Sequence, residues 1–165
     1  MHKRVIISGG GTGGHVFPAI SVANALRKLQ PDIEILFVGA EGRLEMEKVP
    51  AAGYNIVGLP VAGLKRKNPL KNINVFIRYM KSLKIASRIL KDFKPDAVVG
   101  VGGYASVPVL MRASALKIPV IIQEQNSFAG IANRMLAKKA SIICVAYDGM
   151  EKYFPASKII KTGNP

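Results

Sequence analysis

Val5-Ile6-Ile7-Ser8-Gly9-Gly10-Gly11-Thr12-Gly13-Gly14-His15-Val16-Phe17-Pro18 decides how this chain folds. Three β-branched residues in a row suit a strand buried on both faces. Five glycines in the six positions 9–14 make a tight turn, and Pro18 can open the helix that follows. A strand, a glycine turn and a helix in that order form the repeating unit of a parallel α/β sheet. Gly9, Gly11 and Gly14 also satisfy the spacing of a dinucleotide-binding turn, in which backbone N–H groups approach phosphate at a helix end. That fingerprint asks for an acid about 20 residues on. The acid that follows the second predicted strand, Glu41, lies 32 residues past Gly9. No Gly-Lys-Ser/Thr follows the glycines, which excludes a Walker-type phosphate loop.

Working outward, Ile33–Val38, Ala97–Val101, Val120–Ile122 and Ile142–Val145 repeat the short apolar pattern of buried strands, with Ile56–Leu59 and Lys158–Lys161 as shorter candidates. Helical stretches are expected at 16–29, 43–52, 73–93, 107–116 and 129–138. Pro31, Pro95 and Pro119 each stand just before a strand, where a helix must end. The alternation predicts a Rossmann-like parallel sheet with helices on both faces, as one domain over residues 1–165. Thr162-Gly163-Asn164-Pro165 stops where a loop should continue, as a cut chain would.

Composition narrows the function. Hydrophobic residues are 49% of the 165, enough for a core, and 24 basic against 10 acidic residues leave a net charge of +14. The single cysteine, Cys144, excludes a disulfide framework and a cysteine zinc site, and its apolar neighbours predict a buried thiol. No signal peptide is visible, and no apolar run approaches the ~20 residues that span a bilayer. These features predict a soluble cytoplasmic domain that seeks a negative partner: nucleic acid, an anionic membrane, or a phosphate-bearing ligand.

Two further turns carry chemistry. Val99-Gly100-Val101-Gly102-Gly103-Tyr104-Ala105-Ser106 ends a strand in glycines, with Ser106 placed to cap the next helix and Tyr104 to face a ligand. Gln123-Glu124-Gln125-Asn126-Ser127 sets consecutive hydrogen-bonding side chains directly after a buried strand. A cap needs only Asn126 or Ser127, so Glu124 stands out as a carboxylate for acid–base work. All three turns lie at the carboxyl ends of predicted strands, the edge where open α/β sheets bind ligands.

Ten of the 24 lysines and arginines fall between Lys65 and Lys94, against one acid, Asp92. On a helical wheel Phe76, Met80, Leu83 and Leu90 share an arc that should pack on the sheet. Lys81, Lys84, Arg88 and Lys91 cover the other side, and Ile77 and Ile85 fall among them. Apolar side chains mixed with lysines suit the headgroup region of an anionic membrane, as does the preceding Lys65-Arg66-Lys67. The charge comes with no reader motif or basic-aromatic platform, which argues against nucleic acid.

Taken together, Gly10-Gly11-Thr12-Gly13-Gly14-His15-Val16-Phe17-Pro18, Gly102-Gly103-Tyr104-Ala105-Ser106 and Glu124-Gln125-Asn126 with Ala129-Gly130 and Asn133 resemble the MurG family, in order, down to Gly163-Asn164-Pro165. Gln123 stands where many members have His, and Val107 where Gly is common. The resemblance implies the amino-terminal, acceptor-binding half of a GT-B type glycosyltransferase, without its carboxyl-terminal donor-binding domain. Such enzymes transfer GlcNAc from UDP-GlcNAc, with inversion, to the 4-hydroxyl of undecaprenyl-pyrophosphoryl-MurNAc-pentapeptide (lipid I). The product, lipid II, serves peptidoglycan synthesis and so cell shape and division.

By the same resemblance, Thr12, Gly13, Gly14 and Asn126 would face the donor, and Gly102, Gly103, Tyr104 and Ser106 the acceptor. His15 and Glu124 compete for the role of general base, with His15 favoured because an imidazole is poised for proton transfer near pH 7. No metal or cofactor is implied. The expected place is the cytoplasmic face of the bacterial inner membrane, held peripherally on its anionic leaflet. A half enzyme should be inactive alone. The alternative from residues is the NAD(P)- or FAD-binding Rossmann domain of an oxidoreductase.

Overall fold

The computed structural model describes residues 3–63 and 72–165. They form strands β1 (Arg4–Ser8), β2 (Glu34–Ala40), β3 (Asn55–Leu59), β4 (Ala97–Gly100), β5 (Val120–Glu124), β6 (Ile142–Val145) and β7 (Ile159–Lys161). Between them run helices α1 (Gly13–Leu29), α2 (Glu45–Ala51), α3 (Asn72–Phe93), α4 (Ser106–Ala115) and α5 (Ile131–Leu136). The strands make one sheet in the order β3-β2-β1-β4-β5-β6-β7, every pair parallel. The shorter candidates are therefore the edge strands β3 and β7.

Alternation along each strand divides the core in two. Ile6 joins Val98, Ile122 and Ile143 on one face, under Ala86 and Leu90 of α3 and Val109, Leu110 and Ala113 of α4. Val5 and Ile7 join Ile35, Phe37 and Val99 on the other, under Val16, Ala19 and Ala23 of α1 and Val49 of α2. Both faces of the central strands are thus covered, which is why those strands read as continuous apolar runs. Cys144 is only half-buried in β6; burial raises its thiol pKa and a Thr162 hydrogen bond lowers it.

The chain enters at the sheet's middle, moves outward through β2 to β3, then crosses back to β4. This reversal makes a switch point between β1 and β4, so the β1–α1 and β4–α4 turns diverge from neighbouring strand ends and leave a crevice. Ser8, Gly100 and Ile122 lie in register, which brings three carboxyl ends to one edge.

Two helix starts differ from expectation. α1 begins at Gly13, so Pro18 sits in its second turn, where the Gly14 carbonyl loses its usual donor. Ser106 is the first residue of α4 and not its cap; its hydroxyl donates to the Gly103 carbonyl at 2.8 Å.

Helix α3 corrects the wheel. Leu90 is buried, but Phe76 is 63% exposed and Met80 43%, because only the second half of α3 lies on the sheet. Ile85, expected among the lysines, instead packs against the core with Ile89 and Phe93. Ile77 is 58% exposed, and Lys81, Lys84 and Arg88 are exposed as expected. Lys65, Arg66 and Lys67 lie outside the described residues. Among the described residues no helix is long and apolar enough to cross a membrane.

The two halves of α3 should respond differently to truncation. Leu90→Ala is expected to cost about 3 kcal/mol in urea unfolding. Phe76→Ala should cost less than about 0.5 kcal/mol. Equal losses would contradict the assignment of faces.

Candidate functional site

The β1–α1 turn is held from within. Gly9 N–H donates to the Val38 carbonyl at 3.3 Å and Gly10 N–H to the Gly102 carbonyl at 3.2 Å. Gly11 N–H donates to Oε2 of Glu45 at 2.8 Å, while Ala40 N–H donates to Oε1 of the same carboxylate at 2.9 Å. Glu45 is buried at the start of α2, and a Cβ on Gly10 would land inside its carboxyl group. The donors of Gly9 to Gly11 are therefore committed. Those left for an anion belong to Thr12, Gly13 and Gly14, whose N–H groups open α1 and have no acceptor one turn back. Thr12 and Gly14 are exposed.

Glu45 was not singled out from sequence. The available signal was its position four residues before Val49, on the stripe of α2 that is buried, whereas Glu47 of the same helix is exposed. A carboxylate on an apolar stripe needs partners, and the glycine turn supplies them.

The β4–α4 turn closes over the first. Gly103 has φ +86°, and a Cβ there would run into the Gly10 carbonyl. A Cβ on Gly102 would stand 2.8 Å from Cε1 of His15, so the imidazole rests directly on that backbone. Tyr104 is 61% exposed, with its ring against Gly63 after β3. Ser106 is fully buried and shapes the turn from beneath through its bond to Gly103.

His15 is fixed at Nδ1, which lies 2.9 Å from the Val101 carbonyl oxygen and 2.7 Å from Nε2 of Gln125. This links the β1, β4 and β5 turns through one ring.

Glu124 has a different environment from the one expected of a base. It is 1% exposed. Its Oε1 accepts from Asn126 N–H at 3.1 Å and Asn126 Nδ2 at 3.0 Å. Its Oε2 accepts from Gly130 N–H and from Asn133 Nδ2, both at 3.0 Å. Four donors fill the roughly four acceptor positions of a carboxylate. The polar side chains after β5 are thus not surplus to structure, since Glu124, Asn126 and Asn133 together tie the turn to the start of α5. Asn126 itself is exposed beside Gln125.

The structure therefore gathers Thr12, Gly13, Gly14, His15, Gly102, Gly103, Tyr104 and Asn126 at one edge of the sheet, with Ser106 and Glu124 buried behind them. Among the described residues no three His, Cys, Asp or Glu side chains converge as a metal site would require.

Residues 5–145 match the family model of the glycosyltransferase family 28 N-terminal domain. The chain belongs to that family. It is 65% identical over 162 residues to the UDP-N-acetylglucosamine–N-acetylmuramyl-(pentapeptide) pyrophosphoryl-undecaprenol N-acetylglucosamine transferase of Phocaeicola vulgatus, covering 98% of this chain and 43% of the relative. The same enzyme of Parabacteroides distasonis is 64% identical over 162 residues, with 98% and 44% covered. The crystal structure of Acinetobacter baumannii MurG superposes with a TM-score of 0.84 at 32% identity, covering 99% of this chain and 46% of that one. This chain thus spans less than half the length of each. The fold is that of the amino-terminal half of GT-B glycosyltransferases, and the oxidoreductase alternative has no support from these matches.

The role of Glu124 as an anchor is open to a direct check. Glu124→Gln puts an NH2 group against N–H donors and should lower stability by about 2 kcal/mol in urea unfolding. Glu45→Ala, which strands the Gly11 and Ala40 donors, should cost about 3 kcal/mol. An unchanged unfolding midpoint for either would contradict the hydrogen-bond assignments.

Proposed function

We propose that this family 28 domain is the acceptor-side half of an enzyme that transfers GlcNAc from UDP-GlcNAc to the 4-hydroxyl of the MurNAc of lipid I, giving lipid II. The observation that carries this reading is His15, seated between two glycine turns at the crevice of the sheet, in a chain whose full-length relatives bear the name of that transferase.

The reaction breaks the bond between the anomeric carbon and the UDP oxygen and forms one to the acceptor oxygen from the opposite face. It needs a group to take the hydroxyl proton and a field to hold the departing diphosphate. His15 is assigned the first task. Its Nε2 makes no hydrogen bond among the described residues, whereas both oxygens of Glu124 are occupied by four donors. The first-turn N–H groups of Thr12, Gly13 and Gly14 supply dipoles on the donor side, with Asn126 at the sugar. Gly102, Gly103 and Tyr104 face the acceptor's pyrophosphate, and Ser106 keeps that turn in shape.

The lipid half of the acceptor calls for a membrane surface. Ile73, Phe76, Ile77 and Met80 are all exposed on α3, with Arg78, Lys81, Lys84 and Arg88 exposed among them. Apolar side chains flanked by cations fit the headgroup region of an anionic leaflet. Such a docking would hold the enzyme peripherally on the cytoplasmic face, with the crevice near the pyrophosphate of its substrate. The chain spans 43% of the length of the Phocaeicola vulgatus relative, and no turnover is expected from these 165 residues alone.

In the full-length enzyme, His15→Ala should lower kcat by about 10²–10⁴-fold with both KM values nearly unchanged. A change confined to KM would exclude His15 as the base. Flotation of the chain with vesicles containing phosphatidylglycerol should succeed, and Ile77→Glu with Lys81→Glu should abolish it. Equal flotation of the double variant would exclude α3 as the contact.

A further inference from the structure

The surroundings of His15 contain a constraint that proton transfer alone does not explain. Nδ1 has two polar neighbours, the Val101 carbonyl oxygen at 2.9 Å and the Gln125 side-chain amide at 2.7 Å. A backbone carbonyl only accepts, so Nδ1 must carry a hydrogen and donate it. The Gln125 amide has to agree with that. Its NH2 end, facing a second N–H, would set donor against donor, while its Oε1 is buried with no partner. The two ends of an amide are told apart only by the bonds they make. Turning the amide by half a revolution lets Oε1 accept from the same Nδ1–H, so that the proton is shared between two acceptors.

We propose that Gln125 is a positioning residue: with the Val101 carbonyl it fixes His15 as the Nδ1–H tautomer and leaves Nε2 as the proton acceptor. The proposal rests on the reading of His15 as the base and says how the chain prepares it. Partners of one ring nitrogen set the state of the other. Gln125 is well placed for this, being 6% exposed and joined to the end of β5, whose next residue is locked by Glu124. An amide also orients the ring without adding charge. The acid adjacent to Gln125 in sequence, Glu124, is turned away into its four N–H donors.

The chain has only two histidines, so a His2→Gln variant labelled with 15N leaves His15 as the single imidazole signal. At pH 8.5, where an ordinary imidazole is neutral, the expected spectrum has a protonated Nδ1 and an unprotonated Nε2. Gln125→Leu, close in size and unable to accept, should move the shifts toward a mixture of tautomers. In the full-length enzyme it should lower kcat at least about 10-fold while both KM values stay within about 2-fold. An Nε2–H tautomer in the parent spectrum would overturn the proposal, as would a Gln125→Leu enzyme with parental kcat. The spectrum needs no turnover, so its outcome is independent of whether His15→Ala loses activity. An Nδ1–H spectrum beside a fully active His15→Ala enzyme would leave the ring's orientation established and remove the base assignment instead.

Discussion

Two stretches of bare backbone meet at the top of the sheet, Gly10 beneath Gly102 and Gly103, and the rest of the site depends on that approach. The Gly10 N–H reaches the Gly102 carbonyl at 3.2 Å, and a single Cβ on Gly103 would force the turns apart. The switch point between β1 and β4 would ordinarily open a crevice there. Glycine lets the two walls of the crevice touch at its base, and His15, in the first turn of α1, rests its ring on the Gly102 backbone. The imidazole is held by the shape of the backbone as much as by hydrogen bonds.

Two buried carboxylates keep this backbone in place from opposite sides of the sheet. Glu45 reaches under the first turn, and Glu124 gathers the turn after β5 and the start of α5. Neither is exposed enough to meet a substrate, and each satisfies backbone donors that the irregular turns would otherwise leave bare. Under the proposed function, the chemistry is thereby left to neutral and dipolar groups: an imidazole, helix-end N–H groups, and a tyrosine hydroxyl.

The sheet was legible because its central strands are covered on both faces, so β1, β2, β4 and β5 read as unbroken apolar runs. The three turns were legible because glycines and clustered polar residues interrupt those runs at equivalent points. Residues whose role depends on distant partners were less accessible. Glu124 looks like a candidate base in sequence, and only Gly130 and Asn133, six and nine positions on, reveal that its oxygens are occupied. Gln125 belongs to the polar turn in sequence but shows no role of its own there, because the histidine it touches lies 110 positions away. Helix α3 misled for a simpler reason. A wheel gives every turn the same neighbours, but the sheet supports only the second half of this helix, so Phe76 and Leu90 share an arc and not an environment.

The central claim is that this family 28 domain holds the acceptor. Isothermal titration of the 165-residue chain with a short-chain, water-soluble analogue of lipid I, set against titration with UDP-GlcNAc, tests it most directly. The account predicts saturable binding of the analogue, with amide shifts at Gly102, Gly103 and Tyr104, and little heat from UDP-GlcNAc. Saturable binding of UDP-GlcNAc with no response to the lipid analogue would contradict it.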